Sequence, residues 1–119
     1  MLRTVKRRSR KDSHFINGVP ELLILRLLSE GEMYGYQIAQ AIQDRTGDLL
    51  AFGEGCIYPI LRSLLDERIL ASRRQRVDGR TRLYYTLSEK GHRRLDALSA
   101  EWQRVSRGVS MALGSVTAE

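Results

Sequence analysis

The spacing of apolar side chains divides the first half of the chain into two predicted helices and a connection. Six of the seven residues 22–28 are apolar, which predicts a helix buried almost all round at the centre of a core. Pro20 suits its first position and Gly31 its end. Residues 34–47, YGYQIAQAIQDRTG, predict a short amphipathic helix closed by Gly47, and the DLLAFG that follows predicts a connector or a short strand.

A third helix is predicted over residues 53–68, GEGCIYPILRSLLDER. At about 100° per residue, its apolar side chains fall in one sector, which holds Ile57, Ile60, Leu61, Leu64 and Leu65. The opposite sector holds Gly55, Tyr58, Pro59, Arg62, Ser63 and Asp66, with Cys56 at its edge. One side of this helix is therefore predicted to pack on the core while the other faces outward.

Two β-prone segments, ILASRRQRV and RLYYTL, lie on either side of DGRT at residues 78–81. Asp-Gly between two such segments predicts a β-hairpin. Tyr84 and Tyr85 project to opposite faces of the second strand. One is therefore expected in the core and the other outside, and the pattern leaves open which.

The last predicted helix begins after Ser88, a suitable N-cap. Its apolar side chains recur at spacings of 3, 4, 3, 4 and 3, at Leu95, Leu98, Trp102, Val105, Val109 and Ala112. This is the heptad seam of a coiled coil, and Gly91 continues its register. A helix of about 25 residues is near 37 Å long, too long for so small a domain to cover. The seam predicts a dimer interface formed by Leu95, Leu98, Trp102, Val105 and Val109; the alternative is packing on the helix's own core.

Three helices followed by a hairpin describe a winged helix-turn-helix, so the predicted fold class is mainly α with a small β-hairpin wing (α+β). The 119 residues suffice for one compact domain. The predicted divisions are a flexible basic arm (1–17), a winged helix-turn-helix DNA-binding domain (18–87), a dimerisation helix (88–113) and a disordered tail (114–119).

The chain carries a net charge of +6, and its basic residues are concentrated in two runs. Residues 3–11 hold six basic side chains and no acidic one, and residues 73–82 hold five arginines against Asp78 alone. Such an excess favours a polyanionic partner, most often nucleic acid. The alternative for each run is a solvated surface without a partner.

The remaining composition argues against membrane, secreted and catalytic classes. No run of about 18 apolar residues is present, and the basic N-terminus lacks the apolar stretch of a signal peptide. The single cysteine, Cys56, cannot form an internal disulfide, which favours a reducing cytoplasm. Because His14 and His92 are both distant from Cys56 in the sequence, neither a catalytic site nor a metal site is predicted, and no cofactor is expected.

Three blocks of the sequence resemble the PadR family of bacterial transcriptional regulators: ELLILRLLSEGEMYGYQIAQAI, GEGCIYPILRSLLDERIL and GRTRLYYTLSEKG. The resemblance covers about residues 19–113. It implies a homodimeric winged-helix repressor of double-stranded operator DNA, with the long C-terminal helix forming the dimer and a small aromatic or hydrophobic effector releasing the DNA. The chain departs from the family pattern at Cys56, where a small hydroxyl residue is usual, and at Arg68, where a glycine commonly closes the helix.

The outward side of the third helix and the hairpin supply most of the predicted DNA contacts. Residues near the start of a groove-reading helix face the bases, so Gly55 allows a close approach and Cys56 is expected at the DNA edge. Pro59 is expected to be tolerated because early helical N–H groups have no intrahelical partner, and Arg62 can reach a phosphate or a guanine edge. The complete predicted set is Tyr36, Gln37, Gly55, Cys56, Tyr58, Pro59, Arg62, Gly79, Arg80 and Arg82.

Other roles stay open for several of these residues. Tyr58 can be a half-buried aromatic, and Tyr36 and Gln37 can be ordinary packing and surface residues. Cys56, at a helix start among basic groups, can be a redox thiol that switches DNA binding. Trp102 can sandwich a flat aromatic effector between two subunits or simply pack at the dimer interface. For the whole domain, the alternative is a winged helix that docks a protein partner.

Overall fold

The structure is a computed structural model that describes residues 18–114. Its elements are α1 (18–30), β1 (Met33–Tyr34), α2 (Gly35–Arg45), α3 (Glu54–Asp66), β2 (Leu70–Val77), β3 (Arg80–Leu87) and α4 (Glu89–Leu113). These four helices and the small antiparallel sheet confirm the predicted fold class. The predicted basic arm and residues 115–119 of the predicted tail lie outside the described residues.

The first half of the chain departs from prediction in two details. Residues 18 and 19 are already helical, so Pro20 does not occupy the first helical position. The strand β1 was not predicted, because two residues carry no periodic pattern. It pairs with β3 through Met33↔Tyr85 and Tyr34↔Tyr84, which makes the predicted two-stranded hairpin a three-stranded sheet of order β1-β3-β2. The DLLAFG segment is a connector without a strand.

A single apolar cluster joins the helices to one face of the sheet. Ile24 and Leu25 of α1 are fully buried at its centre, as the almost continuous apolar run predicts. The two faces of α3 also confirm the periodicity: Ile57, Leu61 and Leu64 are buried, whereas the predicted outward residues are exposed. The outward face of α3 is therefore presented on a helix that its opposite face fixes to the core.

The hairpin forms where Asp-Gly predicted it. Its register runs from Leu70↔Leu87 to Val77↔Arg80. Asp78 and Gly79 adopt φ of 52° and 75°, the two positive values that a type I′ turn requires. Of the two adjacent tyrosines, Tyr85 is the core residue, with 5% of its surface exposed, and Tyr84 lies on the other face.

The end of α3 is closed by Arg68 in a left-handed conformation, with φ of 63°. The Ile69 N–H donates to the Leu64 carbonyl at 2.9 Å and the Arg68 N–H to the Leu65 carbonyl at 3.0 Å. These two bonds are the Schellman motif, in which glycine usually occupies the left-handed position. An arginine here carries a backbone cost of about 1–2 kcal/mol.

Replacing Arg68 by glycine is therefore expected to raise the free energy of unfolding by about 0.5–1 kcal/mol, since part of the relieved strain is offset by the freer unfolded chain. The measurement is urea denaturation. Arg74→Gly is the matched control, because Arg74 lies in β2 (Leu70–Val77) and is not among the residues with positive φ. It is expected to destabilise by about 0.5–1 kcal/mol, and equal effects of the two substitutions would contradict the assignment of strain to Arg68.

The helix α4 has 25 residues and begins at the predicted N-cap. The Ser88 side-chain oxygen accepts a hydrogen bond from the Gly91 N–H at 3.0 Å. Gly91 and Leu95 are buried against the domain, but the helix is largely exposed beyond Leu98. Within residues 18–114, no helix is both long enough and apolar enough to cross a membrane.

Candidate nucleic-acid interface

The exposed face of α3 holds five of the predicted contact residues in its first three turns. Gly55, Pro59 and Arg62 are exposed, and Tyr58 is 41% exposed. Open space surrounds the Cα of Gly55, where an added Cβ meets no atom within 4 Å. Cys56 is partly buried at the edge of this face, and its backbone N–H donates to the Gly53 carbonyl at 3.0 Å. Its two predicted roles, at the DNA edge or as a redox thiol, stay predictions.

Pro59 was expected to lie among the first helical residues, whose N–H groups have no intrahelical partner, and this expectation is wrong. Because α3 begins at Glu54, Pro59 is its sixth residue and lies inside the helix, beyond the first four N–H groups that have no intrahelical partner. Proline there withholds the hydrogen bond that the Gly55 carbonyl would otherwise accept within the helix. A backbone acceptor is consequently left on the exposed face of α3.

Tyr58 packs across the start of α2. A Cβ atom on residue 35 would lie 2.5 Å from both Cε1 and the hydroxyl oxygen of Tyr58, so the ring occupies the space that a side chain at Gly35 would fill. Burial, followed by the negative charge of Glu54, raises the pKa of the Tyr58 hydroxyl. The hydroxyl is therefore protonated at neutral pH and can donate a hydrogen bond to an incoming acceptor.

The two predicted contacts on α2 are both exposed, Tyr36 to 55%. Gln37 also has a local role that the sequence analysis missed. Its side-chain oxygen accepts a hydrogen bond from the Tyr34 N–H at 3.0 Å and so satisfies a backbone donor at the start of the helix. The spacing of three residues between Tyr34 and Gln37 could have predicted this hydrogen bond from the sequence.

Aromatic and cationic side chains of the wing stack on one another and on Tyr34 of β1. The Arg82 guanidinium lies 4.4 Å from the centre of the Tyr34 ring, and Arg73 lies 5.1 Å from the centre of the Tyr84 ring. The two tyrosine rings meet edge to face, with centres 5.3 Å apart. Cation–π contacts of this kind hold an arginine in one orientation without removing its charge.

The five arginines of the wing do not share one environment. Arg73 pairs with Glu32, and its Nε donates to a Glu32 oxygen at 3.0 Å. The hydrogen bond from Arg73 lowers the pKa of the Glu32 carboxyl. Arg76 donates to the Gly79 carbonyl at 3.2 Å at the hairpin tip, where Arg80 is exposed. Glu32 therefore offsets the positive charge of Arg73 towards the base of the wing.

The predicted dimer residues divide along α4. Leu95 is buried in the core of its own protomer with 7% exposed, and Leu98 packs against the same core. Trp102 and Val109 are 42% and 48% exposed, and Val105 is intermediate. An interface on this seam would therefore take most of its new buried area from the second half of the helix.

The comparisons with known proteins agree with this architecture. A model of the PadR-like family of transcriptional regulators matches residues 24–97. An uncharacterized protein of Lysinibacillus sphaericus is 31% identical over 100 residues, which are 83% of this chain and 92% of that protein.

Two solved structures show the same fold. A transcriptional regulator from Clostridium thermocellum is 26% identical, with a TM-score of 0.76, over 83% of this chain and 94% of that one. Bacillus subtilis PadR in complex with operator DNA is 30% identical, with a TM-score of 0.61, over 66% of this chain and 44% of that one. The family match, the curated relative and the fold together establish that the chain belongs to the PadR-like family of transcriptional regulators.

Proposed function

We propose that the protein is a homodimeric repressor that binds double-stranded operator DNA, with α3 in the major groove and the wing on the flanking backbone. The observation that carries this proposal is the outward face of α3, where Gly55, Tyr58 and Arg62 are exposed while the opposite face is buried in the core. The resemblance to Bacillus subtilis PadR, whose structure was solved with operator DNA, also supports the proposal that this protein binds operator DNA.

The proposed dimer forms through α4, whose apolar seam continues past the body of the domain. The effector proposed to release the DNA is a small, flat aromatic compound bound beside Trp102 in the middle of this seam. Trp102 is partly exposed in the protomer and is the only tryptophan of the chain. Its fluorescence therefore reports on a ligand at this position, and quenching by one class of planar compounds would support the effector site.

Replacing Arg62 by glutamine is expected to weaken binding to a duplex selected from a random library by about tenfold to a hundredfold, since a good arginine–base contact is worth about 1–3 kcal/mol. The measurement is fluorescence anisotropy at several salt concentrations. Arg93→Gln removes the same charge from the exposed surface of α4 and is expected to bind within about twofold of the parent protein. Failure of the parent protein to bind any duplex at about 50 mM salt would contradict the proposed function and favour a protein-docking module.

A further inference from the structure

A concave notch lies where the short strand β1 ends beside the wing. The strand β3 pairs with β1 only at Tyr84 and Tyr85, so towards the hairpin tip it continues past the end of β1. Tyr34 and Gly35 form one side of the notch, Arg82 another, and Tyr58 of α3 (Glu54–Asp66) the third. Three elements thus meet at the notch: the start of α2, the exposed face of α3 and the strand β3 of the wing.

Arg82 is held in this notch with an unused hydrogen-bond donor. Its guanidinium is stacked on the Tyr34 ring at 4.4 Å, and within residues 18–114 its Nε is buried without a hydrogen-bond partner. A guanidinium has donors and no acceptor, so this N–H group can only donate. Leaving such a donor unpaired carries a desolvation penalty. None of the described residues that line the notch is acidic, so the guanidinium charge of Arg82 is available to an anion that enters the notch.

A second donor is available from the opposite wall. The Tyr58 hydroxyl lies over Gly35, close enough to Arg82 for the guanidinium charge to influence the pKa of this hydroxyl. Because glycine at position 35 leaves room for the Tyr58 ring, the hydroxyl is held over the notch rather than pushed away from it. Arg82 and Tyr58 line the same cavity, and a guanidinium together with a protonated hydroxyl suits the oxygens of a phosphate group.

We propose that the notch binds a single phosphodiester group of the operator backbone. The inference rests on the proposed DNA-binding function and deepens it, because it assigns Tyr34 and Gly35 to a binding site and places Arg82 and Tyr58 on the same phosphate. The notch lies between the two surfaces proposed to contact DNA, the outward face of α3 and the wing. A backbone strand that passes from one to the other crosses it. Tyr34 acts as a positioning residue that orients the Arg82 guanidinium towards this phosphate.

The test replaces one backbone phosphate at a time by an uncharged methylphosphonate in the selected duplex. In the parent protein, one position in each half-site is expected to lose at least about tenfold in affinity, the size of a lost charge-assisted contact. In Arg82→Gln, the loss at that position is expected to fall to about twofold or less, while the losses at other positions remain. Arg80→Gln alters the exposed tip of the wing. In this variant, methylphosphonate at the same position is still expected to weaken binding.

Tyr58→Phe provides a second variant that keeps the ring packed over Gly35 and removes only the hydroxyl. In this variant, methylphosphonate is expected to cost less affinity at the same phosphate and to have an unchanged effect at every other phosphate. An unchanged methylphosphonate profile in both Arg82→Gln and Tyr58→Phe would overturn the proposal while leaving DNA binding intact. A parent protein that binds no duplex would instead refute the proposed function itself.

A free phosphate ion would suit the same donors. A separate measurement therefore distinguishes a free ion from a phosphate of the DNA backbone. The Arg82 Nε–H signal in a ¹H–¹⁵N spectrum is followed during addition of inorganic phosphate and of the selected duplex. A shift caused by the duplex and lost with methylphosphonate at the one sensitive position supports the backbone assignment. A shift caused by inorganic phosphate together with a duplex profile that Arg82→Gln does not change would overturn it in favour of a free-anion site.

Discussion

Replacing Gly91 by alanine is expected to lower the free energy of unfolding by about 2–3 kcal/mol, the upper part of the range of about 1–3 kcal/mol typical of overpacking. An added Cβ would overlap the backbone oxygen of Ile69 and lie 2.5 Å from Cδ1 of Leu87. The Leu87 side chain can rotate, but the Ile69 oxygen cannot move alone. It accepts hydrogen bonds from the Ser88 N–H at 3.1 Å and from the Ser88 hydroxyl at 2.8 Å.

The contact at Gly91 is part of the packing between the start of α4 and the end of α3, the helix proposed to enter the major groove. The Ser88 hydroxyl lies 2.8 Å from the Arg68 carbonyl oxygen, and Lys90 donates to the Glu67 carbonyl at 2.9 Å. Arg94 reaches Glu67 at 2.6 Å. The carbonyl groups that follow the last turn of α3 are thus bound by the first two turns of α4. Displacing α4 at Gly91 would break these contacts. It would also deprive the part-buried Ile69 oxygen of its hydrogen bonds from Ser88, which adds to the steric cost.

Gly108→Ala is the matched control, since it makes the same substitution in the same helix. An added Cβ at Gly108 meets no atom within 4 Å, so alanine is expected to stabilise α4 by up to about 1 kcal/mol through its higher helix propensity. Urea denaturation of both variants measures the two effects. The close contact at Gly91 would be refuted by an unfolding free energy within about 0.5 kcal/mol of the parent protein.

Local sequence signals predicted the elements whose cause is local. The two faces of α3 follow from a helical period that Ile57, Leu61 and Leu64 express directly. The hairpin turn follows from Asp-Gly, which tolerates positive φ at both positions. The start of α4 follows from the Ser88 hydroxyl, which binds a backbone N–H only three residues away. In each case the stabilising groups lie within a few residues of one another.

The parts that the sequence did not predict depend on partners far along the chain. The strand β1 exists because residues 33 and 34 meet β3 about fifty positions later. Arg68 keeps a strained φ because Ser88 and α4 hold the turn that follows α3. The stacking of Arg82 on Tyr34 likewise joins distant positions, so a run of arginines could predict a basic wing but not which arginine is held in a notch.

Replacing Val109 by glutamate is expected to raise the dissociation constant of the proposed dimer by at least about a hundredfold. Val109 is 48% exposed in the protomer, so the substitution leaves the protomer core unchanged. In a two-fold seam it places two carboxylates in an apolar interface, where each must be desolvated or protonated. A combined cost of about 3 kcal/mol corresponds to that change.

Sedimentation over a range of protein concentrations measures the dimer directly, and Trp102 gives an independent reading. Because Trp102 is 42% exposed in the protomer and belongs to the same seam, its emission is expected to shift to the red when dilution or Val109→Glu separates the subunits. Gln103→Glu adds the same charge one position beyond Trp102, off the seam and exposed, and is expected to leave the dimer within about twofold of the parent protein. If Val109→Glu dimerised as tightly as Gln103→Glu, the two-fold arrangement proposed for operator binding would be wrong. The exposed apolar side chains of α4 would then have to be covered by something other than a second copy of this helix.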